Sequence, residues 1–203
     1  MNIIQVLGLA MGAAWTSGIN LYATVAVLGL LSRFKLAQLP GGLDVLDNWI
    51  IIGVALFLYA VEFVADKVPY VDTIWDAVHT FIRVPAGAIM AATATADINT
   101  EVQIIALLVG GGLAFATHGT KASVRATANL SPEPFSNWAL SLAEDFIAVA
   151  AAILAVVSPL IILAVIGVFL LIFIWLFPKV IRRLRRMLSI LRAFLRGRPA
   201  TAA

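Results

Sequence analysis

The chain has 203 residues, of which 62% are hydrophobic and only 12% are charged, and its mean hydropathy is +1.02. Soluble domains carry roughly 25% charged residues, so this composition excludes an ordinary soluble domain and predicts an integral membrane protein. Cysteine is absent, which excludes a disulfide framework, a thiolate nucleophile and a cysteine-based metal site. The length suffices for one domain of about six spans of roughly 20 residues each.

The net charge of +3 is distributed very unevenly. Residues 179–203 contain eight basic residues and no acid, whereas residues 1–178 contain six basic and eleven acidic residues. We therefore expect a transmembrane helical domain over residues 1–178, followed by a basic amphipathic tail that lies on anionic lipid. The positive-inside rule places that tail in the cytoplasm. Nothing in the charge pattern indicates a nucleic-acid partner.

Apolar runs separated by proline, glycine and polar residues predict six helical segments. In chain order they cover residues 3–34, 49–64, 72–96, 102–130, 138–157 and 160–177. The first and fourth segments carry internal polar and glycine residues, which predict a broken or re-entrant helix in each. The break residues are Ser17, Gly18, Asn20 and Gly119. Pro85 should kink or interrupt the third segment.

Two halves of the chain show a faint internal repeat. Thr16-x-Gly18 matches Thr117-x-Gly119, and the pair Asn48-Trp49 matches Asn137-Trp138. Residues 1–96 and 102–178 would then be two three-helix units related by inversion across the membrane, as in many transporters.

Two topologies are open. Six spans with a cytoplasmic tail put both termini inside but leave Arg33 and Lys35 outside, against the positive-inside rule. If the first and fourth segments are re-entrant, Arg33 and Lys35 return inside and Lys67 moves outside. We expect the six-span arrangement.

A stripe of ionisable residues marks the start of the third segment. Asp72, Asp76, His79 and Arg83 are spaced i, i+4, i+7 and i+11, so they share one helix face. An ionisable group at bilayer depth costs at least about 2.5 kcal/mol and therefore usually faces a protein interior or a water-filled path. The alternative is a helix end that lies at the membrane interface.

A second, basic stripe lies in the fourth segment. His118, Lys121 and Arg125 follow a largely apolar run, and with Arg83 they could bind an anion or a lipid headgroup. The alternative is a solvated helix end. The first stripe and the second would together form a polar site within the membrane.

Further carboxylates lie on the second and fifth segments. Glu62 and Asp66 are i, i+4 neighbours at the end of an apolar helix, an arrangement that suits proton exchange or cation binding. The alternative is that Glu62 pairs with a basic residue only to hold helices together. Glu144 and Asp145 are adjacent and point about 100° apart on a helix, so at most one is expected to face a shared cavity.

Several of these motifs resemble one known family. The residues are Ser17-Gly18-Ile19-Asn20, the stretch from Glu62 through Asp66-Lys67-x-Pro69 to Asp72 and Asp76, Ala86-Gly87, His118-Gly119, and Ser131-Pro-Glu-Pro-Phe-Ser-Asn137 with Glu144-Asp145. This pattern resembles the domain-of-unknown-function 4126 proteins. The resemblance implies a small multi-pass bacterial membrane protein, which we expect in the inner membrane, and it implies no established activity.

The residues therefore predict a transporter or channel-like protein with an intramembrane site for a proton, a cation or another small charged solute. Glu62 or Asp66 would carry the proton or cation. A flippase for a phosphate-bearing lipid, using Arg83, Lys121 and Arg125, and a non-transporting scaffold are the alternatives.

An enzyme is not expected, because a lone D-x-x-x-D is a weak signal for catalysis. No cofactor is predicted, and two histidines without cysteine do not make a histidine-rich metal centre. A homo-oligomer is compatible with the sequence.

Overall fold

The computed structural model describes residues 1–68, 70–129 and 134–195, and within the last range the side chains of residues 134, 181, 183, 184 and 186–195 are not described. The described residues form six α-helices and one 3₁₀ helix, with no strand among them. The helices are α1 (Ile3–Arg33), the 3₁₀ helix η1 (Gly41–Asp47), α2 (Trp49–Ala65), α3 (Val71–Ala94), α4 (Thr100–Ala128), α5 (Pro134–Val157) and α6 (Pro159–Leu195).

Five of these helices are long and apolar enough to cross a membrane, and η1 with α2 would make a sixth if this bent pair counts as one span. The two helices of that pair meet at 74°. Alone, the 17 residues of α2 reach about 25 Å at roughly 1.5 Å per residue, short of the roughly 30 Å hydrocarbon core. The prediction of an all-α polytopic bundle is confirmed.

The chain forms two compact units, which divide after Ile166. In the second unit α6 continues past Pro178 as helix. The apolar and basic faces expected of the tail fall mostly on side chains and residues outside the described set. The tail, like the division of the chain after residue 178, stays a prediction.

The most extensive helix pair is the antiparallel hairpin of α3 and α4. Small residues permit this close packing: a Cβ added to Gly110 would overlap the Cβ of Ala91, and one added to Gly87 would lie 2.5 Å from the Cβ of Ala114. Pro85 lies inside α3 without interrupting it. Packing against neighbouring helices compensates for the missing hydrogen bond in such positions.

α1 lies at the centre of the first unit and is broken at Asn20, whose φ and ψ are −148° and 103°. The Oδ1 atom of Asn20 accepts from the backbone N–H of Ala23 at 2.9 Å, so Asn20 caps a second helical arm. The break that the sequence predicts in this segment is therefore present.

The two arms of α1 lead to the same end of the bundle. In the first arm Gly8 packs against Pro159, at the end of α5. In the second arm Gly29 packs against the carbonyl of Leu46 in η1, and η1 in turn packs against Thr93, at the end of α3. A straight helix could not make both sets of contacts, so α1 turns back at Asn20. For the first segment this agrees with the re-entrant alternative and not with the expected six-span arrangement.

The break expected at Gly119 is wrong. α4 is continuous from Thr100 to Ala128, because a single glycine is tolerated inside a helix at a cost of only about 1 kcal/mol. The first and fourth segments thus differ at the positions that suggested the repeat, and the inverted repeat stays a prediction.

Candidate functional site

A cluster of buried charged side chains joins α2, α3, α4 and α5 around the break in α1. We call it the buried network. Its carboxylates are Glu62, Asp66, Asp72, Asp76, Glu144 and Asp145, and its cations are Arg83, Lys121 and Arg125. Only the Glu144 side chain, at 14%, is more than a few per cent exposed within the ion pairs. The antiparallel hairpin of α3 and α4 brings the two predicted stripes to the same level.

Arg83 is fully buried and holds α3 to three neighbouring segments. Its Nη2 donates to Glu62 Oε1 at 2.6 Å. Its Nη1 donates to the carbonyl of Ile19 at 3.0 Å and to His118 Nδ1 at 3.1 Å. Arg83 therefore lies at the centre of the cluster rather than at the membrane interface.

Lys121 lies among carboxylates of α2, α3 and α5, of which Asp76 on α3 is the most distant at 3.8 Å. Its Nζ is 3.1 Å from Asp66 Oδ2, 3.4 Å from Glu62 Oε1 and 3.5 Å from Glu144 Oε2. It also donates to the carbonyl of Ile19 at 3.2 Å. One ammonium group thus connects α4 with α1, α2 and α5.

Arg125 completes the basic stripe one turn further along α4. Its Nη1 donates to the backbone carbonyl of Asp66 at 2.6 Å, and its Nη2 donates to Asp66 Oδ2 at 3.0 Å. Its guanidinium also pairs with Glu144 at 2.5 Å and lies 3.6 Å from Asp72. All three predicted anion-binding cations are therefore bound to carboxylates.

The two histidines take different positions. Arg83 donates to Nδ1 of His118, so the ring's proton is on Nε2, which donates to the carbonyl of Asp76 at 3.0 Å. His79 instead stacks on Trp75, with Nδ1 2.8 Å from the Trp75 carbonyl and Nε2 3.0 Å from the Tyr22 hydroxyl. His79 shares the stripe but pairs outside the buried network.

The break in α1 contributes a backbone group to the site. The N–H of Ala23 would ordinarily bond to the Ile19 carbonyl, but the side chain of Asn20 takes it. The free Ile19 carbonyl accepts from Arg83 and Lys121 instead. Broken helices in transporters expose helix ends to bound ions in this way.

The other predicted break residues pack rather than bind. Ser17 donates to the carbonyl of Ala14 at 2.8 Å, and Gly18 lies against the backbone of Ala114. A Cβ added to Gly119 would meet nothing within 4 Å.

The expectation that only one residue of the Glu144–Asp145 pair faces the site is wrong. Glu144 pairs with Arg125, and Asp145 accepts from Asn20 Nδ2 at 3.1 Å. The two side chains point about 100° apart and pair with different helices, Glu144 with α4 and Asp145 with α1.

Two asparagines that the sequence analysis did not select close the network near the α4–α5 connection. Asn129 Nδ2 donates to both carboxylate oxygens of Asp72, at 2.9 and 3.0 Å. Asn137 Nδ2 donates to Asn129 Oδ1 at 2.8 Å. Neither residue is charged or belongs to a predicted stripe of ionisable residues, so only the fold identifies them as members.

The buried network contains more negative than positive charge. Six carboxylates lie opposite three cations, although half-buried Lys67 also lies nearby, 3.2 Å from Ser141 Oγ. Several buried carboxylate oxygens accept no hydrogen bond within the described part of the chain. They are Glu62 Oε2, Asp66 Oδ1, both oxygens of Asp76 and Asp145 Oδ2. Open acceptors with excess negative charge favour binding of a proton or a cation.

Asp66 and Lys67 follow α2, and both are perturbed. Burial raises the pKa of Asp66 to about 6, although Lys121 and Arg125 oppose the change. Burial lowers the pKa of the Lys67 ammonium. No three histidine, cysteine or acidic side chains in the described ranges are placed to hold a metal ion.

The comparisons with known proteins agree with the resemblance in the motifs. The family model described as domain of unknown function (DUF4126) matches residues 7–179. No curated protein and no solved structure matches the chain. Since the match covers most of the sequence, the chain belongs to the domain-of-unknown-function 4126 family.

Proposed function

We propose that this membrane protein transports protons or small cations through the buried network. The observation that supports this function most directly is the set of buried carboxylate oxygens that accept no hydrogen bond from the described residues, in a cluster of six carboxylates and three cations. A buried carboxylate without a hydrogen bond is costly, so a proton, a cation or ordered water stabilises it. A path for positive charge through the bilayer needs such acceptors.

Asp66 is the best candidate for the proton-carrying residue. One of its oxygens accepts from Lys121 and Arg125, the other is unpartnered, and its pKa of about 6 is close to the pH range in which a carrier must gain and lose a proton. Protonation would weaken the hold of Asp66 on Lys121 and Arg125. Because these two cations lie on α4, proton binding would weaken the contact between α2 and α4. That movement would open the site to the other side of the membrane.

The geometry supports the two alternatives less well. A lipid phosphate would have to displace carboxylates from Arg83, Lys121 and Arg125, which are already paired. A scaffold held by ion pairs needs balanced charge, whereas the six carboxylates of the network outnumber its three cations even when Lys67 is added. We therefore propose transport of positive charge rather than headgroup flipping or a structural role alone.

We place the protein in the bacterial inner membrane, with residues 179–203 on the cytoplasmic surface. Eight basic residues without an acid suit contact with anionic lipid, at roughly 1 kcal/mol for each basic residue near the surface.

Flux measurements on purified protein in vesicles test the proposal. Wild-type protein should move protons or alkali cations down an imposed gradient, read by a trapped pH dye or by cation release. Glu62→Gln and Asp66→Asn should each reduce the flux about tenfold or more, a loss of roughly 1.4 kcal/mol or more of transition-state stabilisation. Glu101→Gln is the matched control, because Glu101 lies exposed in the first turn of α4. Wild-type flux equal to that of empty vesicles for H⁺, Na⁺ and K⁺ would refute the proposal.

A further inference from the structure

We propose that Asn20 and Asp145 form a distinct subsite at the break in α1, in which Asp145 Oδ2 takes the proton or monovalent cation and Asn20 is the positioning residue. This inference rests on the proposed function and assigns a second carboxylate to the path, on a different helix from Asp66. The shared chemistry is a positive charge bound to a carboxylate oxygen.

Two hydrogen bonds fix the orientation of the Asn20 amide. Asn20 is 1% exposed, and its Oδ1 accepts from the backbone N–H of Ala23 at 2.9 Å. The amide NH₂ must then point away from the second arm of α1. It donates to Asp145 Oδ1 at 3.1 Å, which orients the carboxylate.

Helix capping alone does not explain asparagine at this position. Aspartate, serine and threonine also cap helices well. However, an aspartate carboxylate cannot donate a hydrogen bond to Asp145, and the serine and threonine side chains are shorter than that of asparagine. Asparagine accepts from the helix and donates to α5 at the same time. Its second role is therefore to hold Asp145.

The free oxygen of Asp145 marks the binding position. Asp145 is 7% exposed, and its Oδ2 is buried without a hydrogen-bond partner among the described residues. Asp145 accepts a hydrogen bond from Asn20, and the charged groups that interact with it are Lys121, Glu62 and Lys67. Ion-coupled transporters place their ion sites at breaks in helices near the bilayer midplane, and Asp145 lies beside such a break.

An exchange of the two side chains tests this role. Asn20→Asp keeps the cap but places two carboxylates together, and Asp145→Asn removes the carboxylate from α5. Each single variant should reduce vesicle flux about tenfold, and the double variant should recover to within about threefold of wild type, because an interaction between neighbours makes their effects non-additive. The double variant restores one amide and one carboxylate in contact, with the negative charge moved to α1.

Asn20→Ser keeps a capping oxygen without the amide donor and should lose flux like the other single variants. If Asn20→Asp does not fold, Asn20→Ser takes its place as the test of the Asn20 side chain. A folded double variant no more active than the worse single variant would overturn the inference, as would wild-type flux in Asn20→Ser.

Asp66→Asn distinguishes this inference from the proposed function. If Asp66→Asn loses flux while the Asn20 variants do not, the subsite is wrong and the function stands. If the wild type carries no flux, both are wrong. Proton gradients without alkali metal, compared with Na⁺ or K⁺ gradients at equal pH, decide which positive charge the subsite takes.

Discussion

Asp66 makes the stability of the protein depend on pH in a direction that can be worked out. Its pKa is about 6 in the folded protein and 3.8 ordinarily, so the folded state binds a proton more tightly than the unfolded chain does. The stabilisation from this proton is complete below about pH 3.8 and is lost as the pH rises through about 6. We expect Asp66→Asn to remove this pH-dependent decrease in the free energy of unfolding, which is at most about 3 kcal/mol for a difference of about two units in pKa.

Thermal unfolding in detergent between pH 4 and 7 measures this effect. The melting temperature of wild type should fall across the range by more than that of Asp66→Asn, while exposed Glu101→Gln should keep the wild-type slope. Equal slopes in wild type and Asp66→Asn would show that Asp66 binds its proton no more tightly when folded.

Most of the charged site residues could be found from the sequence, but their partners could not. The spacing of Asp72, Asp76 and Arg83 places them on one face because helical periodicity is local. The carbonyl of Ile19 has no signal in the sequence, since it becomes free only because Asn20 caps the next arm. Pairings such as Arg83 with Glu62 depend on which helices become neighbours, and that is decided by tertiary packing.

At the scale of the helices, two glycines of α4 offer a matched test of the α3–α4 interface. A Cβ on Gly110 would overlap Ala91 and lie 3.1 Å from the carbonyl of Gly87, whereas nothing lies within 4 Å of a Cβ on Gly112. Gly110→Ala should therefore destabilise by about 1–3 kcal/mol, as overpacking does. Gly112→Ala should be neutral or stabilising by up to about 1 kcal/mol, because alanine favours helix.

The melting temperatures of the two variants in the same detergent check this prediction. They should move apart, with Gly110→Ala below wild type and Gly112→Ala at or above it. A Gly110→Ala protein as stable as Gly112→Ala would mean that α3 and α4 are not packed closely at Ala91.

The bounds of the first five helical segments were predictable within a few residues because hydropathy and helix punctuation are local signals. The third segment, expected over residues 72–96, is Val71–Ala94, and the fifth, expected over 138–157, is Pro134–Val157. The continuity of α4 was not predictable in the same way. Gly119 and Asn20 both look like break residues in the sequence, but only Asn20 has a cap to form and a partner on another helix.

At the scale of the whole molecule, the buried network lies towards one end of the helices. Arg83 is about 18 Å from the start of α3 at roughly 1.5 Å per residue, and the other members lie between it and the α2–α3 and α4–α5 connections. Beyond Arg83, small residues close the bundle, with Gly87 against Ala114 and Gly110 against Ala91. A charge that crossed the protein would therefore need that packing to open.

The turn of α1 at Asn20 predicts a membrane topology that labelling can test. Both arms of α1 lead to the end of the bundle where α3 ends, so the regions around Asn2, Leu36 and Asp97 should lie on one side of the membrane and Val68 on the other. All four residues are exposed, and the chain has no cysteine, so single cysteines at these positions give a clean readout. In intact vesicles a membrane-impermeant maleimide should label Asn2→Cys, Leu36→Cys and Asp97→Cys from the same side, and Val68→Cys from the opposite side. If α1 crossed the membrane instead, Asn2→Cys would label together with Val68→Cys, on the side opposite Leu36→Cys and Asp97→Cys, and the two-armed arrangement around Asn20 would be wrong.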